Sequence, residues 1–98
     1  MSDLCKEIAK MGKGIGNENR YRILEAIMGG PRTVGEIARK VRLPQPSVSQ
    51  HLKVLKSANL VEDTRQGQEV RYAVNVGYMA SLLKKLAINL SEKNNKKL

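Results

Sequence analysis

Two short helical periods meet across Arg42-Leu43-Pro44-Gln45-Pro46, and this junction restricts the fold more than any other feature of the chain. Ahead of it, Thr33-Val-Gly-Glu36 has the spacing of a capping box, in which Thr33 accepts from the third helical N–H and Glu36 reaches back. Val34, Ile37, Ala38 and Val41 then recur at i, i+3, i+4 and i+7, which predicts a short helix. The junction itself cannot be helix interior, because each proline restricts the residue before it. Pro46 suits the first turn of a new helix. That helix is expected to run to about Ala58 and to bury Val48, Leu52 and Leu55. Two helices joined by so tight a break make a helix-turn-helix.

The flanking segments extend the pattern. Leu4, Ile8, Met11 and Ile15 place one apolar stripe on a first helix, whose end Gly12, Gly14 and Gly16 weaken. Asn17 can cap a second helix reaching about Met28, with Ile23, Leu24, Ile27 and Met28 as its buried face, and Gly29-Gly30-Pro31 stops it. Val61 to Arg65 and Val70 to Val74 alternate in the strand manner around Gln66-Gly67-Gln68, which predicts a β-hairpin. After Asn75 the period is helical again, with Met79, Leu82, Leu83, Leu86 and Leu90 on one side of a last helix. The predicted class is mainly α (α+β): a winged helix-turn-helix of five helices with a two-stranded β-hairpin wing. Residues 1–90 are expected to form this single domain, and 91–98 (SEKNNKKL) a frayed basic tail.

Composition narrows the function. Ninety-eight residues suffice for one small core, and with three Tyr and no Phe or Trp that core must be aliphatic. Eighteen Lys and Arg against nine Asp and Glu give a net charge of +9, an excess that suits a polyanionic partner. A merely solvated basic surface and a membrane surface are the alternatives. One Cys excludes an intrachain disulfide. Cys5, beside the Leu4/Ile8 stripe, is expected to be a buried small residue, the sharper alternative being a redox bridge between subunits. No apolar run approaches the ~20 residues of a membrane span. The opening MSDLCKEIAKM has no apolar signal core, so a cytoplasmic protein is expected. Paired carboxylates and a Ser-His-Asp set are missing, and an enzyme is not expected.

At about 100° per residue, the face of the fourth helix opposite Val48, Leu52 and Leu55 carries Pro46, Gln50, Lys53 and Ser57, flanked by Ser47, Ser49 and Val54. Amide and hydroxyl side chains with one lysine fit a helix lying in a DNA major groove, where Gln bonds adenine and Lys reaches guanine or phosphate. A solvent-facing helix is more often rich in paired Glu and Lys, although a solvated Gln/Ser face is the plain alternative. Near the hairpin tip, Arg65 and Arg71 with Gln66 and Gln68 can reach phosphates or a minor groove. The alternative there is internal pairing with Glu62, Asp63 and Glu69. Arg32, Arg39, Lys40 and Arg42 are further phosphate candidates.

From Val34-Gly-Glu-Ile-Ala38 through Gln45-Pro-Ser-Val-Ser-Gln-His-Leu-Lys-Val-Leu55, the chain resembles the ArsR (ArsR/SmtB) family of bacterial and archaeal transcriptional regulators. Asn17 to Leu24 resembles that family's second helix, and Asn59-Leu-Val61 with Gln66-Gly67 and Tyr72 its entry into the wing. The likeness spans residues 15 to 76, with Ser49, His51 and Leu52 as its most specific part. It implies a homodimer on an operator with two half-sites, usually repressing a nearby promoter, with Gln45, Ser47, Ser49, Gln50 and His51 at or near the DNA. Relatives commonly carry a capping Ser where this chain has Pro44. Family thiolate metal sites place Cys near the start of the third helix, where this chain has Arg32, Thr33, Val34 and Gly35; another site uses Asp, His and Glu along the last helix, and Tyr78 to Leu90 has none of these. Zinc needs about four N, S or O ligands, so neither metal nor cofactor is expected.

The terminal helices are the expected dimer surface. Leu4, Ile8 and Met11 on the first and Met79, Leu82, Leu83, Leu86 and Leu90 on the last are left over once the central helices and hairpin form a core. These stripes can pair across a two-fold axis, or pack only within the monomer. A two-fold dimer sets its recognition helices about 34 Å apart, one per successive major groove. A winged-helix protein-interaction module and a ligand-independent derepressor or architectural DNA-binding protein are the rival functions.

Overall fold

The computed structural model describes residues 2–97. Five helices and a small sheet follow in the order α1 (Ser2–Ile15), α2 (Glu18–Ile27), β1 (Arg32–Thr33), α3 (Val34–Val41), α4 (Gln45–Ser57), β2 (Val61–Gln66), β3 (Glu69–Val74) and α5 (Val76–Lys97). The helix starts follow from local chemistry. Asn17 Oδ1 accepts from the Arg20 amide at 3.1 Å. Thr33 Oγ1 accepts from the Glu36 amide at 3.2 Å while Glu36 Oε1 accepts from the Thr33 amide at 2.9 Å, closing the capping box. At the α3–α4 junction Arg42 turns into the left-handed region (φ 60°), and the Leu43 amide donates to the Ala38 carbonyl at 3.2 Å. Asn59, at φ 62°, makes the corresponding turn after α4; asparagine tolerates this conformation better than most residues.

The core is aliphatic, as the composition demands. Ile23, Leu24 and Ile27 of α2, Ile37 and Val41 of α3, and Val48, Leu52 and Leu55 of α4 are buried together with Leu60, and no polar or charged side chain is buried among the described residues. α1 joins this core at Gly14. A Cβ there would lie 2.8 Å from Leu60 Cδ1 and 3.6 Å from Leu55 Cδ2, so glycine is what lets α1 approach the α4–β2 corner so closely.

Several expectations need correcting. The wing is part of a three-stranded antiparallel sheet of order β1-β3-β2, because Arg32 and Thr33 pair with Tyr72 and Arg71. Two residues are too few to show alternation, and it is pairing with β3 that makes them a strand; the Arg32 Nε bond to the Ala26 carbonyl (2.8 Å) and the extended N-cap conformation of Thr33 are compatible with it. Met28 is exposed, since it forms the C-cap beyond the last turn of α2. α5 continues past residue 90 to Lys97, so a boundary at 90 does not coincide with the helix end; no Gly or Pro interrupts 91–97, and Leu98 lies outside the described residues. Met11 (6% exposed) and Leu82 (2%) are already buried within the single chain and belong to its core rather than to a free stripe. Leu4, Ile8 and Met79 are half-buried against that core, and Leu86 is half-buried. Leu83 (51%) and Leu90 (64%) are exposed. Cys5 is exposed as well, one position round α1 from the buried line.

Candidate nucleic-acid interface

Burial of Val48, Leu52 and Leu55 fixes which side of α4 is left outward. Gln45, Pro46, Ser49, Gln50, Lys53 and Ser57 are exposed, and Ser47, His51 and Val54 are half-buried along one flank. α4 starts with Pro44 at the N-cap, and no side chain caps this end. Pro46 has no N–H, and the remaining first-turn amides are left for an outside acceptor such as phosphate. The Gln45 side chain leans over α3: its Nε2 is 3.5 Å, and Arg39 Nη1 3.7 Å, from the point a Gly35 Cβ would occupy. An amide and a guanidinium thus lie close to one another at the α3–α4 joint.

His51 occupies the inner flank of this face. Burial, and then the nearby positive charge of Arg20, lower its pKa below the ordinary 6.5, so the imidazole is neutral at neutral pH. Arg20 itself is committed: its Nε donates to the Gly14 carbonyl at 2.8 Å and its Nη2 to the Lys13 carbonyl at 2.9 Å, capping the end of α1. Nothing in the sequence pattern marked this arginine as structural.

The wing sends Arg65, Gln66 and Gln68 outward around Gly67, whose φ of 62° forms the turn. Gln66 pairs with Glu69 and Arg65 with Val70. Arg71 is placed differently from the expectation of a tip cation. It sits on the central strand between Thr64 and Thr33, with Nη2 3.1 Å from Glu69 Oε1 and Nη1 3.7 Å from Glu36 Oε1. It ties the wing to the start of α3. The Glu36 carboxyl is held below its usual range, first by the Thr33 amide and further by Arg71, against a partial desolvation cost. Lys56 at the end of α4 meets Asp63 of β2 at 2.9 Å, and this hydrogen bond lowers the Asp63 pKa. Arg39, Lys40 and Arg42 are exposed on α3 and its turn, whereas Arg32 is taken by the Ala26 carbonyl. Arg22 Nη2 donates to the Val41 carbonyl at 2.7 Å and closes the end of α3.

α1 and α5 border an apolar groove of about 690 Å³ lined by Leu4, Cys5, Ile8, Ala9 and Leu86 among others. The Tyr78 hydroxyl crosses between these two helices and donates to Glu7 Oε2 at 3.0 Å. Among the described residues no cluster of three or more His, Cys, Asp or Glu side chains is placed to hold a metal ion, and no helix is long and apolar enough to cross a membrane.

Comparison with known proteins agrees with this geometry. Residues 17–63 match the model of the bacterial regulatory protein arsR family. The chain is 40% identical over 63 residues to the transcriptional repressor SdpR of Bacillus subtilis, covering 64% of this chain and 70% of that protein. It is 34% identical over 79 residues to the HTH-type transcriptional regulator CmtR of Mycobacterium bovis, covering 81% and 67%. In three dimensions it is similar to a homodimeric winged helix-turn-helix DNA-binding domain from Mycobacterium bovis, described as a possible ArsR-family transcriptional regulator, with a TM-score of 0.74 and 29% identity over 94% of this chain and 88% of that one. Both of the curated relatives are regulators of transcription. An outward Gln/Ser face on the second helix of a helix-turn-helix, a β-hairpin wing beside it and relatives covered over two thirds of their length lead to one assignment: the chain belongs to the ArsR family of winged helix-turn-helix transcriptional regulators.

Proposed function

We propose that this protein is a homodimeric repressor that reads an inverted repeat in double-stranded DNA, in the cytoplasm where the chromosome lies. The observation that carries this reading is the outward side of α4: seven exposed residues, four of them Gln or Ser and two Lys, of which Lys56 is paired with Asp63, opposite the buried Val48, Leu52 and Leu55. Sequence choice comes from Gln45, Ser47, Ser49 and Gln50 at base edges. Uncapped amides at the start of α4, Lys53, and Arg65 with Gln66 and Gln68 on the wing hold phosphates and set the register. His51, neutral and on the flank, contacts DNA at the edge of the footprint. Arg71 contributes by fixing the wing relative to α3.

Dimerisation through α1 and α5 is supported by exposed Leu83 and Leu90 and by the apolar groove those helices border, and a structurally similar domain is homodimeric. In this arrangement Leu4, Ile8, Met79 and Leu86 carry their half-exposed faces into the contact, while Met11 and Leu82 support it from within. Repression then follows from occupying a promoter. Metal is given no part in the proposed cycle: the single Cys5 and single His51 lie on separate helices, and the thiolate and last-helix ligand residues of the family's metal sites are not in the sequence.

Selection of bound duplexes from a random pool tests the reading: a two-fold repeat with half-site centres one helical turn apart is expected. Gln50→Ala is expected to relax base preference, whereas Arg65→Ala weakens all duplexes alike and lowers the salt slope. Duplex binding that barely changes with salt points instead to a protein partner and overturns the assignment.

A further inference from the structure

α1 carries a second surface besides its apolar stripe. Lys6, Lys10 and Lys13 recur at spacings of four and three, all exposed, on the side opposite Leu4, Ile8 and Met11. The last two line a groove of about 330 Å³ whose other wall is Val54, Ser57 and Ala58, the carboxy-terminal half of α4. No Asp or Glu lines this groove. α4 has no acidic residue, and Glu7 on α1 is turned away to Tyr78. Among the described residues, neither Lys10 nor Lys13 lies in an ion pair.

The groove is also rigidly built. Gly14 brings the end of α1 against Leu55, Ala58 and Leu60, and Arg20 clamps the Lys13 and Gly14 carbonyls. Met11, between the two lysines, is buried. The backbones carrying Lys10 and Lys13 are therefore held at a set position beside the recognition helix. Uncompensated cations next to a helix that enters the major groove meet the strand bordering that groove, where one negative charge recurs at roughly every 3.4 Å per strand.

We propose that Lys10 and Lys13, beside the carboxy-terminal half of α4, form a second track for the sugar-phosphate backbone of the same duplex, so that α1 serves DNA binding as well as dimerisation. The track rests on the DNA-binding reading above and adds to it a contact outside the helix-turn-helix and the wing. It carries no base information. Its effect is on affinity and salt dependence alone, equal for every sequence.

The test is a double substitution, Lys10→Gln with Lys13→Gln, in the full chain. Duplex affinity is measured from low to high salt on a selected duplex and on a random duplex of equal length. A second pair, Lys84→Gln with Lys85→Gln on exposed positions of α5, removes the same charge elsewhere. Each lost phosphate contact lowers the slope of log affinity against log salt by roughly 0.9, so a drop of about 1.8 per protomer is expected on both duplexes. The α5 pair is expected to leave the slope close to that of the unsubstituted protein. Thermal melting of all three proteins should coincide, since the substituted residues are exposed. An unchanged slope in the α1 pair, or an equal drop in the α5 pair, overturns the track while leaving the recognition face of α4 intact. If the unsubstituted protein itself shows no steep salt dependence, the DNA-binding reading fails with it.

Discussion

Thr33 and Glu36 each hold the other's backbone amide, at 3.2 and 2.9 Å, and Thr33 is at the same time half of strand β1. Removing the hydroxyl releases a helix cap next to the sheet. Thr33→Ala is expected to cost about 1 kcal/mol in urea unfolding, and Thr33→Ser to recover most of it. Because β1 pairs with β3, amide exchange in β3 should also quicken in the alanine variant.

The two glycines of α1 should respond in opposite directions. Gly12 is exposed, and a Cβ added there would meet nothing within 4 Å, so Gly12→Ala gains helix propensity, roughly 0.5–1 kcal/mol. Gly14→Ala would drive its methyl to 2.8 Å from Leu60 Cδ1, and Leu60 is fully buried. Overpacking of this kind costs about 1–3 kcal/mol, which exceeds the propensity gain. Urea midpoints of the two variants on either side of the parent check this.

His51 gives stability a pH dependence near neutrality. Its folded pKa lies below the ordinary 6.5, chiefly through burial, so the unfolded chain takes up the proton first. Stability is therefore full above pH 6.5 and declines as pH falls through the folded value. His51→Gln should flatten the melting temperature between about pH 7 and the mildly acid range; an unchanged profile would show that another group titrates there.

Glu36 acts further into acid. Its lowered pKa means that its contribution is complete above the ordinary 4.5 and is lost as pH drops through the folded value. The hydrogen bond from Thr33 and the pull of Arg71 weaken together as the carboxyl is protonated. Glu36→Gln should remove this part of the acid transition, and wing resonances such as those of Tyr72 and Arg71 should shift in the same pH range in the parent but not in the variant.

Most helices were legible because each rests on local chemistry: Asn17 and Thr33 announce their caps, Pro44 and Pro46 forbid continuity, and Val48, Leu52 and Leu55 announce the buried side of α4. The outward Gln/Ser face follows from that last pattern by subtraction. Contacts that depend on distant chain were not legible. β1 is two residues long and exists because β3 is beside it. Arg71 looked like a cation at the tip, but only the folded sheet brings Glu36, far earlier in the chain, to 3.7 Å from it. Met11 and Leu82 belong to amphipathic stripes that point partly inward and partly outward, and periodicity alone does not say where along a helix the core ends. Cys5 shows the same limit from the other side, since one residue of rotation separates it from Leu4.

The pairing of Arg32 with Tyr72 and of Thr33 with Arg71 has a mechanical consequence. It welds the wing to the root of α3, and α3 packs on α4, so hairpin and recognition helix form one stiff caliper. A caliper spans a single gauge. Lengthening a half-site by one base pair would rotate the outer phosphates by about 34° relative to the bases that α4 is proposed to read, and a wing tied in this way to α3 is expected not to follow them.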